Sequence, residues 1–177
     1  MQLSIRLLLL ATILAPAAFS PSARADGRVE ERCLRLYHTH THERLSVVYW
    51  RDNAYVPGAL TQLDTFLRDS VTGKVHHFDP HLFDVLFDLT AASGRPDAEI
   101  QVICGYRTLQ TNEYLRTHTS GVARNSLHME AEAIDIRVPG VQTSHLRDTA
   151  LALARGGVGY YPVSDFIHVD VGRVRRW

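Results

Sequence analysis

A length of 177 residues suffices for one domain with a real core and is short for two. Hydrophobic residues make up 45% of the chain, and 19 basic residues balance 19 acidic ones. This composition excludes a disordered chain and gives no electrostatic reason to expect nucleic acid or an anionic membrane as a partner.

The first 25 residues have the pattern of a secretory signal peptide. Arg6 precedes an apolar run at 7–14, and Ala23-Arg24-Ala25 provides small residues at a cleavage position. We therefore predict a signal peptide at 1–25 and one mature domain at 26–177, located in the periplasm. An uncleaved signal anchor remains the alternative, and no other segment is expected to span a membrane.

Strand and helix signals alternate irregularly along the mature chain. Apolar and β-branched runs predict a hairpin of strands at 33–37 and 45–50, and further strands at 99–104, 133–138, 158–161 and 166–171. Apolar residues at helical spacing predict three helices, at 57–70, from 80 to the stop signal Ser93-Gly94, and at 108–118. A fourth helix is predicted to end at 155. Asp79 and either Thr143 or Ser144 are the expected N-caps, and 120–130 is expected to be a loop. This order favours an α+β fold, an antiparallel sheet with helices packed on one side.

Three side chains could together hold a metal ion. His128 and Asp135 lie seven residues apart, and His168 follows in a later predicted strand. If the strands of Asp135 and His168 are neighbours, the two side chains meet above one sheet face, and His128 reaches in from the preceding loop. Two imidazoles and one carboxylate are a ligand set of the kind that a catalytic zinc uses, with its fourth position left for water. The pattern predicts a hydrolase.

These residues lie in motifs that resemble a known group of enzymes. The run Ser126-x-His128-x-x-Ala131-x-Ala133-x-Asp135 and the pair Asp165-x-x-His168 resemble the two zinc motifs of the lysostaphin and D-Ala-D-Ala (LAS) metallopeptidases. The stretches at 45–50, 105–108, 157–161 and 168–170, with Gly172, are similar to the MepK-like murein endopeptidases. The resemblance extends from about residue 34 to Trp177 and implies the LAS metallopeptidase fold.

The resemblance also implies a role for particular residues. One Zn²⁺ per chain would be bound by His128, Asp135 and His168. Asp165 would be the base that takes a proton from zinc-bound water, and Arg107 would polarise the scissile carbonyl.

Several roles stay open on the sequence. Asp170 shares a strand face with His168, so it could be the base in place of Asp165 or could orient the His168 imidazole. Ser126 could hydrogen-bond a ligand or the substrate, or form a local cap. Tyr106 could contact the substrate or simply pack.

Two further features bear on the site. The family pattern usually has glycine where this chain has Ala131, which would strain the ligand loop if the backbone there needs a positive φ. Cys33 and Cys104 could pair in an oxidising compartment, or both could be small buried hydrophobic residues.

The sequence thus predicts an exported zinc peptidase that cleaves peptide stems or cross-links of peptidoglycan. The alternatives are a D,D- or L,D-carboxypeptidase that trims terminal D-alanine and a noncatalytic zinc-containing module that binds the cell wall. A monomer is expected, and a cell-wall protein that recruits the chain is left open.

Overall fold

The computed structural model describes residues 30–119 and 121–177, so the predicted signal peptide lies outside the described residues. The described part forms one eight-stranded sheet and four α-helices. The strands are β1 (Arg32–His38), β2 (Arg44–Arg51), β3 (Ala54–Tyr55), β4 (Glu99–Cys104), β5 (Ala133–Arg137), β6 (Gly157–Tyr161), β7 (Phe166–Asp170) and β8 (Arg175–Arg176). The helices are α1 (Pro57–Phe66), α2 (Pro80–Ala92), α3 (Leu109–His118) and α4 (Thr143–Leu153).

The strand order of the sheet is β3-β2-β1-β4-β5-β7-β6-β8. Most neighbours pair antiparallel, which confirms the predicted fold class, whereas β1 with β4 and β6 with β8 pair in parallel. The parallel pairing of β1 and β4 requires a long connection, and β2, which runs antiparallel to β1, is part of it together with β3, α1 and α2.

The register of β5 against β7 separates a core face from a polar face. Ile134 lies opposite Val169 and Ile136 opposite Ile167, and all four side chains are buried in the core. The core also receives α2 and α4, which contact each other and the sheet. Because side chains alternate along a strand, the residues between these apolar pairs are directed to the other face of the sheet.

Two helices differ from their predicted bounds. The first was expected to reach Ser70, but α1 ends at Phe66, and the Asp69 carboxylate then accepts the backbone N–H groups of Val71 and Thr72 in a turn. The expected N-cap of the last helix is also wrong: α4 starts at Thr143 after Gln142, without a side-chain cap.

The hairpin of β1 and β2 and the Asp79 N-cap of α2 are as predicted. The short strands β3 and β8 were not predicted. Within the described ranges, no helix combines the length and apolar character that crossing a bilayer requires.

Candidate metal centre

Three buried side chains meet on the polar face of the sheet. Asp135 of β5 and His168 of β7 are register partners, and His168 Nδ1 lies 2.9 Å from Asp135 Oδ1. His128 enters from a short 3-10 helix, Leu127–Glu130, and its Nε2 lies 3.2 Å from Asp135 Oδ1 and 3.1 Å from His168 Nδ1. The structure therefore brings together the three residues that the sequence predicts as ligands.

The spacing of these three atoms fits a zinc ion. Zinc bonds to nitrogen and oxygen of about 2.0–2.2 Å in tetrahedral geometry separate the ligand atoms by roughly 3.3–3.5 Å. The observed separations of 2.9–3.2 Å need to open by only a few tenths of an ångström. Two imidazole nitrogens and one carboxylate oxygen are also a donor set that zinc prefers, with one position left free.

Hydrogen bonds on the far side of each imidazole direct its other nitrogen to this point. His128 Nδ1 lies 2.8 Å from the carbonyl oxygen of Gly105. His168 Nε2 lies 3.0 Å from Asp170 Oδ2. An imidazole that donates through one nitrogen presents a lone pair on the other, so both rings are set to bind a cation.

The electrostatics of the site favour a cation. In the protein alone, burial disfavours the charged form of His128, but the adjacent Asp135 carboxylate and Cys104 together outweigh burial and raise the pKa of His128 to about 10. Burial would likewise raise the pKa of Asp135, but the two imidazoles hold it well below its usual range. A metal ion therefore competes with a proton for the same buried site, which His128 and Asp135 form.

Arg107 lies directly beside these ligands. Its Nη2 is 3.9 Å from Asp135 Oδ2, and its Nη1 donates a hydrogen bond of 3.1 Å to Asn112 Oδ1. The backbone N–H of Arg107 donates to the carbonyl oxygen of His128 at 3.0 Å, so the turn that carries the arginine is bonded to the ligand loop. Gly105 allows this turn, because a Cβ there would lie 2.5 Å from the carbonyl oxygen of Leu67.

Two cavities meet at this centre. One, of about 330 Å³, contains His128 and His168, and the other, of about 480 Å³, lies along β4 and α3. Asp135 and Arg107 line both.

A family model described as peptidoglycan L,D-endopeptidase MepK matches residues 26–177 of the chain. The chain belongs to this MepK family. The resemblance predicted from the motifs is thereby confirmed.

Relatives in the MepK family cover most of the chain. A protein of Haemophilus influenzae named probable peptidoglycan L,D-endopeptidase MepK is 44% identical over 146 residues, 82% of this chain and 78% of that protein. The peptidoglycan L,D-endopeptidase MepK of Escherichia coli is 36% identical over 167 residues, 94% of this chain and 89% of that protein. The protein of the same name from Shigella flexneri matches to the same extent, 36% over 167 residues.

The departure from the family pattern at Ala131 has a structural explanation. Ala131 ends the 3-10 helix with φ 55° and ψ 36°, the left-handed conformation that glycine favours. Its N–H donates to the carbonyl oxygen of Leu127, which closes the turn that carries His128. The alanine therefore adopts a conformation that glycine would adopt without strain, at a cost of about 1–2 kcal/mol.

Asp170 lies next to the centre, and Asp165 does not. The Asp170 side chain is fully buried and accepts hydrogen bonds from His168 and from the N–H groups of Gly157 and Gly172. Asp165 lies in the turn before β7 with 63% of its side chain exposed, where it accepts a hydrogen bond from Thr143. The structure thus does not bring this carboxylate together with the three ligands.

The remaining predicted positions lie near the site. Ser126 precedes the 3-10 helix, and its hydroxyl accepts the N–H of His128 at 3.4 Å, as a local cap would. Tyr106 packs against His76, with ring centroids 5.0 Å apart, and lines the larger cavity.

The two cysteines are free, so the alternative of a disulfide is wrong for this structure. Cys104 instead lies by the centre, with its sulfur 3.5 Å from Arg107 Nη2. Ligand atoms of Cys104, His128 and Asp135 all lie within 4.8 Å of one another. The ligand atoms of His128, Asp135 and His168 lie closer together than those of this group, and their separations are the ones that fit zinc.

The sequence patterns did not predict the aromatic side chain that packs beside the centre. The Trp177 indole lies over His168, with ring centroids 5.1 Å apart, and its Nε1 donates to the Tyr161 hydroxyl at 2.9 Å. Gly159 leaves the room for it, since a Cβ there would lie 2.7 Å from the indole. A glycine inside a predicted strand was the signal for this close approach.

Proposed function

We propose that the chain is an exported zinc peptidase that hydrolyses amide bonds in peptidoglycan peptide stems or cross-links. The triangle of ligand atoms on His128, Asp135 and His168, with Arg107 beside it, carries the proposal. The names of the MepK relatives support peptidoglycan as the substrate class.

The residues around the centre suit hydrolysis of an amide. When bound, zinc lowers the pKa of a coordinated water toward ~7 and polarises a carbonyl group. The Arg107 guanidinium, fixed by Asn112, would stabilise the negative charge that develops on the carbonyl oxygen. Its burial strengthens that effect, because little water competes for the charge.

We propose Asp165 as the group that takes the proton from the attacking water and returns it to the leaving amine. Among the residues that the structure describes, its exposed carboxylate contacts Thr143 and Arg137, and it is next to Ser164 and Phe166, which line the smaller cavity, so the proposal requires its side chain to turn toward that cavity. Asp170 suits a different role, because both of its oxygens are already bonded and it orients His168.

The cavity linings favour cleavage within a chain over removal of a terminal residue. A carboxypeptidase needs a cation for the free carboxylate of its substrate. Of the arginines that line the two cavities, Arg68 pairs with Glu43 and Arg175 pairs with Asp170, and Arg107 is the residue proposed to stabilise the scissile carbonyl. This favours an endopeptidase.

The test is a zinc count on the mature protein and a digest of isolated murein. Wild-type protein is expected to hold one zinc and to release new fragments, and His168→Ala is expected to lose both properties. Arg107→Lys and Asp165→Asn should keep zinc and lose about 100-fold or more in kcat. Zinc-loaded wild-type protein that releases no fragment would refute the peptidase and favour a binding module. Full activity of Asp165→Asn would refute the proposed base.

We also propose the periplasm as the location, on the basis of the predicted signal peptide at 1–25. Fractionation of cells that produce the full chain is expected to recover it, shortened at its N-terminus, with periplasmic proteins. Recovery of the unshortened chain with membranes would support the signal anchor.

A further inference from the structure

Asn112 is a polar side chain buried in the first turns of α3. It is 0% exposed, and its backbone N–H donates to the carbonyl oxygen of Thr108 at 2.8 Å, so the helix fixes where the side chain starts. A buried primary amide has an oxygen and an NH₂ group to satisfy, and each one left without a partner is costly. The partners of this amide therefore indicate what it does.

The side-chain amide of Asn112 joins two parts of the metal centre. Its Oδ1 accepts from Arg107 Nη1 at 3.1 Å. Its Nδ2 donates to the carbonyl oxygens of Ala123 and Arg124, at 3.1 and 3.3 Å, in the loop that leads to His128. Because a guanidinium only donates and a carbonyl only accepts, these partners also fix which end of the amide faces which.

The bond from Asn112 leaves the charge of Arg107 unbalanced. An amide oxygen carries no net charge, whereas Arg68 and Arg175, which line one cavity each, are both bonded to a carboxylate. Asp135 Oδ2 lies 3.9 Å from Arg107, but its carboxylate is a proposed zinc ligand. A cation held by a neutral acceptor keeps its charge for an oxygen that becomes negative in the transition state.

The other nitrogens of the Arg107 guanidinium have weak partners or none. Its Nε has no hydrogen-bond partner in the part of the chain that the structure describes. Its Nη2 lies 3.5 Å from the sulfur of Cys104, which is a weak acceptor. Among the described residues, the Asn112 oxygen is thus the strongest acceptor within hydrogen-bond distance, and its loss would let the guanidinium turn.

We infer that Asn112 is a positioning residue for the proposed hydrolysis. Its amide holds the Arg107 guanidinium at the metal centre without neutralising it, and the same amide ties down the loop before His128. The inference rests on the proposed function and deepens it. Aspartate lacks the donors and leucine lacks both donors and acceptor, so neither can replace the amide.

The first test observes the Arg107 guanidinium by NMR, in zinc-loaded protein with isotope-labelled arginine nitrogens. The signals of Arg107 are those that Arg107→Met removes. Wild type is expected to show separate, slowly exchanging Nη signals, because the bond to Asn112 hinders rotation of the group. In Asn112→Leu these signals are expected to merge. The 123 and 124 carbonyls belong to exposed residues, so water can replace the lost amide there and the variant should fold.

The second test measures cleavage of soluble cross-linked muropeptides prepared from murein. Asn112→Leu is expected to lower kcat about 10–100-fold and to change KM by less than about threefold, because Arg107 acts on charge that develops in the transition state. In an Arg107→Met protein, the same change should lower kcat by less than about a further twofold, since the group through which Asn112 acts is gone. A role in helix packing alone would lower kcat equally in both backgrounds.

Two further variants separate charge from fold. Asn112→Asp keeps an acceptor for Arg107 but pairs the guanidinium with a carboxylate. It should keep the separate Nη signals and still lose about tenfold or more in kcat. Glu113→Gln removes the ion pair with Arg116 from the surface of the same helix, and it should match wild type in both measurements.

The outcomes distinguish the positioning role from the hydrolysis. Unchanged Nη signals in Asn112→Leu, or equal losses of kcat in the wild-type and Arg107→Met backgrounds, would overturn the inference. Asn112→Asp with the kcat of wild type would overturn the part that concerns charge. A wild-type protein that cleaves no muropeptide would instead refute the proposed hydrolysis, and the Nη signals would still decide whether Asn112 holds Arg107.

Discussion

At the scale of single residues, Asp170 shows how the centre is held in place. Its Oδ1 accepts the N–H groups of Gly157 and Gly172, both at 2.9 Å. Its Oδ2 accepts from His168, and Arg175 donates to both oxygens at 3.0 and 2.7 Å. Every neighbour is a donor, so only a carboxylate satisfies this position.

We expect Asp170→Asn to weaken zinc binding about 10–100-fold. The introduced NH₂ group would face a donor, either His168 or Arg175, and the His168 ring would lose its orientation. Competition with a chromophoric chelator measures the affinity. Asp148→Asn, which removes an exposed partner of Arg147, is the control and should bind zinc as wild type does. Unchanged affinity in Asp170→Asn would show that the ring is held by other contacts.

At the scale of elements, one carboxylate joins the turn after α1 to the start of α3. Asp69 bonds the 71–72 backbone and also Thr108, the N-cap of α3. Thr108 directly follows Arg107, so the same bonds fix the end of the arginine turn.

The Asp69 connection predicts a pH-dependent stability. Burial alone would raise the pKa of Asp69, but hydrogen bonds from Thr111 and Thr108 outweigh it and lower the pKa to about 2. A carboxyl with a lowered pKa stabilises the fold above its unfolded value of about 3.9, by roughly 2 kcal/mol, and this contribution is lost as the pH falls toward 2. In urea unfolding, we therefore expect Asp69→Asn to have a lower free energy of unfolding than wild type at pH 7. The difference between the two proteins should become smaller between pH 4 and 2. A difference in the free energy of unfolding that does not change with pH would contradict the lowered pKa of Asp69.

The packing of Trp177 on β6 gives a second prediction at this scale. Trp177 is bonded to β6 through Val158 and Tyr160. Gly159→Ala would place a methyl group 2.7 Å from the indole, so we expect the ring to leave His168 and zinc binding to weaken. Tryptophan fluorescence should shift to the red, and the chelator assay reports the zinc affinity. Gly58→Ala in α1, where a Cβ meets nothing within 4 Å, should change neither signal. A Gly159→Ala protein with the fluorescence spectrum of the wild type would show that β6 moves and the indole keeps its position.

At the scale of the whole molecule, the three proposed ligands come from β5, β7 and the 3-10 helix between β4 and β5. A bound ion would therefore link three separate parts of the sheet and its loops. Because the proposed ligands converge only in the folded chain, zinc binding would add to the free energy of unfolding.

Zinc at 100 times its Kd is expected to add about 2.7 kcal/mol to the stability. For a domain of this size, that corresponds to a rise in Tm of about 5–10 °C. Thermal unfolding in zinc and in a chelator measures the difference. The shift should disappear in His128→Ala, and an equal shift in that variant would mean that zinc binds elsewhere.

The parts of this molecule that were predictable from sequence depend on local signals. Asp79-Pro80 predicted the start of α2, and the alternation around Asp135 predicted which strand face carries the ligand. The strand β8 has two residues, too few for a periodic pattern, and it forms because β6 is beside it. The early end of α1 likewise depends on Asp69 and on Thr108, a partner 39 residues away.

The orientation of Asp165 could not be predicted for a related reason. The motif gives its distance from His168 along the chain, but its side chain is directed by Thr143 and Arg137, which belong to other elements. Thr143 was one of the two expected N-caps of α4, and in the structure its hydroxyl donates to Asp165 instead.

The ring of bonds between His128 and the arginine turn has a thermodynamic consequence. His128 Nδ1 meets the carbonyl oxygen of Gly105, and the carbonyl oxygen of His128 accepts the N–H of Arg107. A displacement of the turn by a ligand on Arg107 must also displace a proposed zinc ligand. By linkage, a substrate analogue that tightens zinc binding by some factor must itself bind more tightly to the zinc-loaded chain by the same factor. Cells short of zinc would then retain the metal best in those molecules that are engaged with the wall.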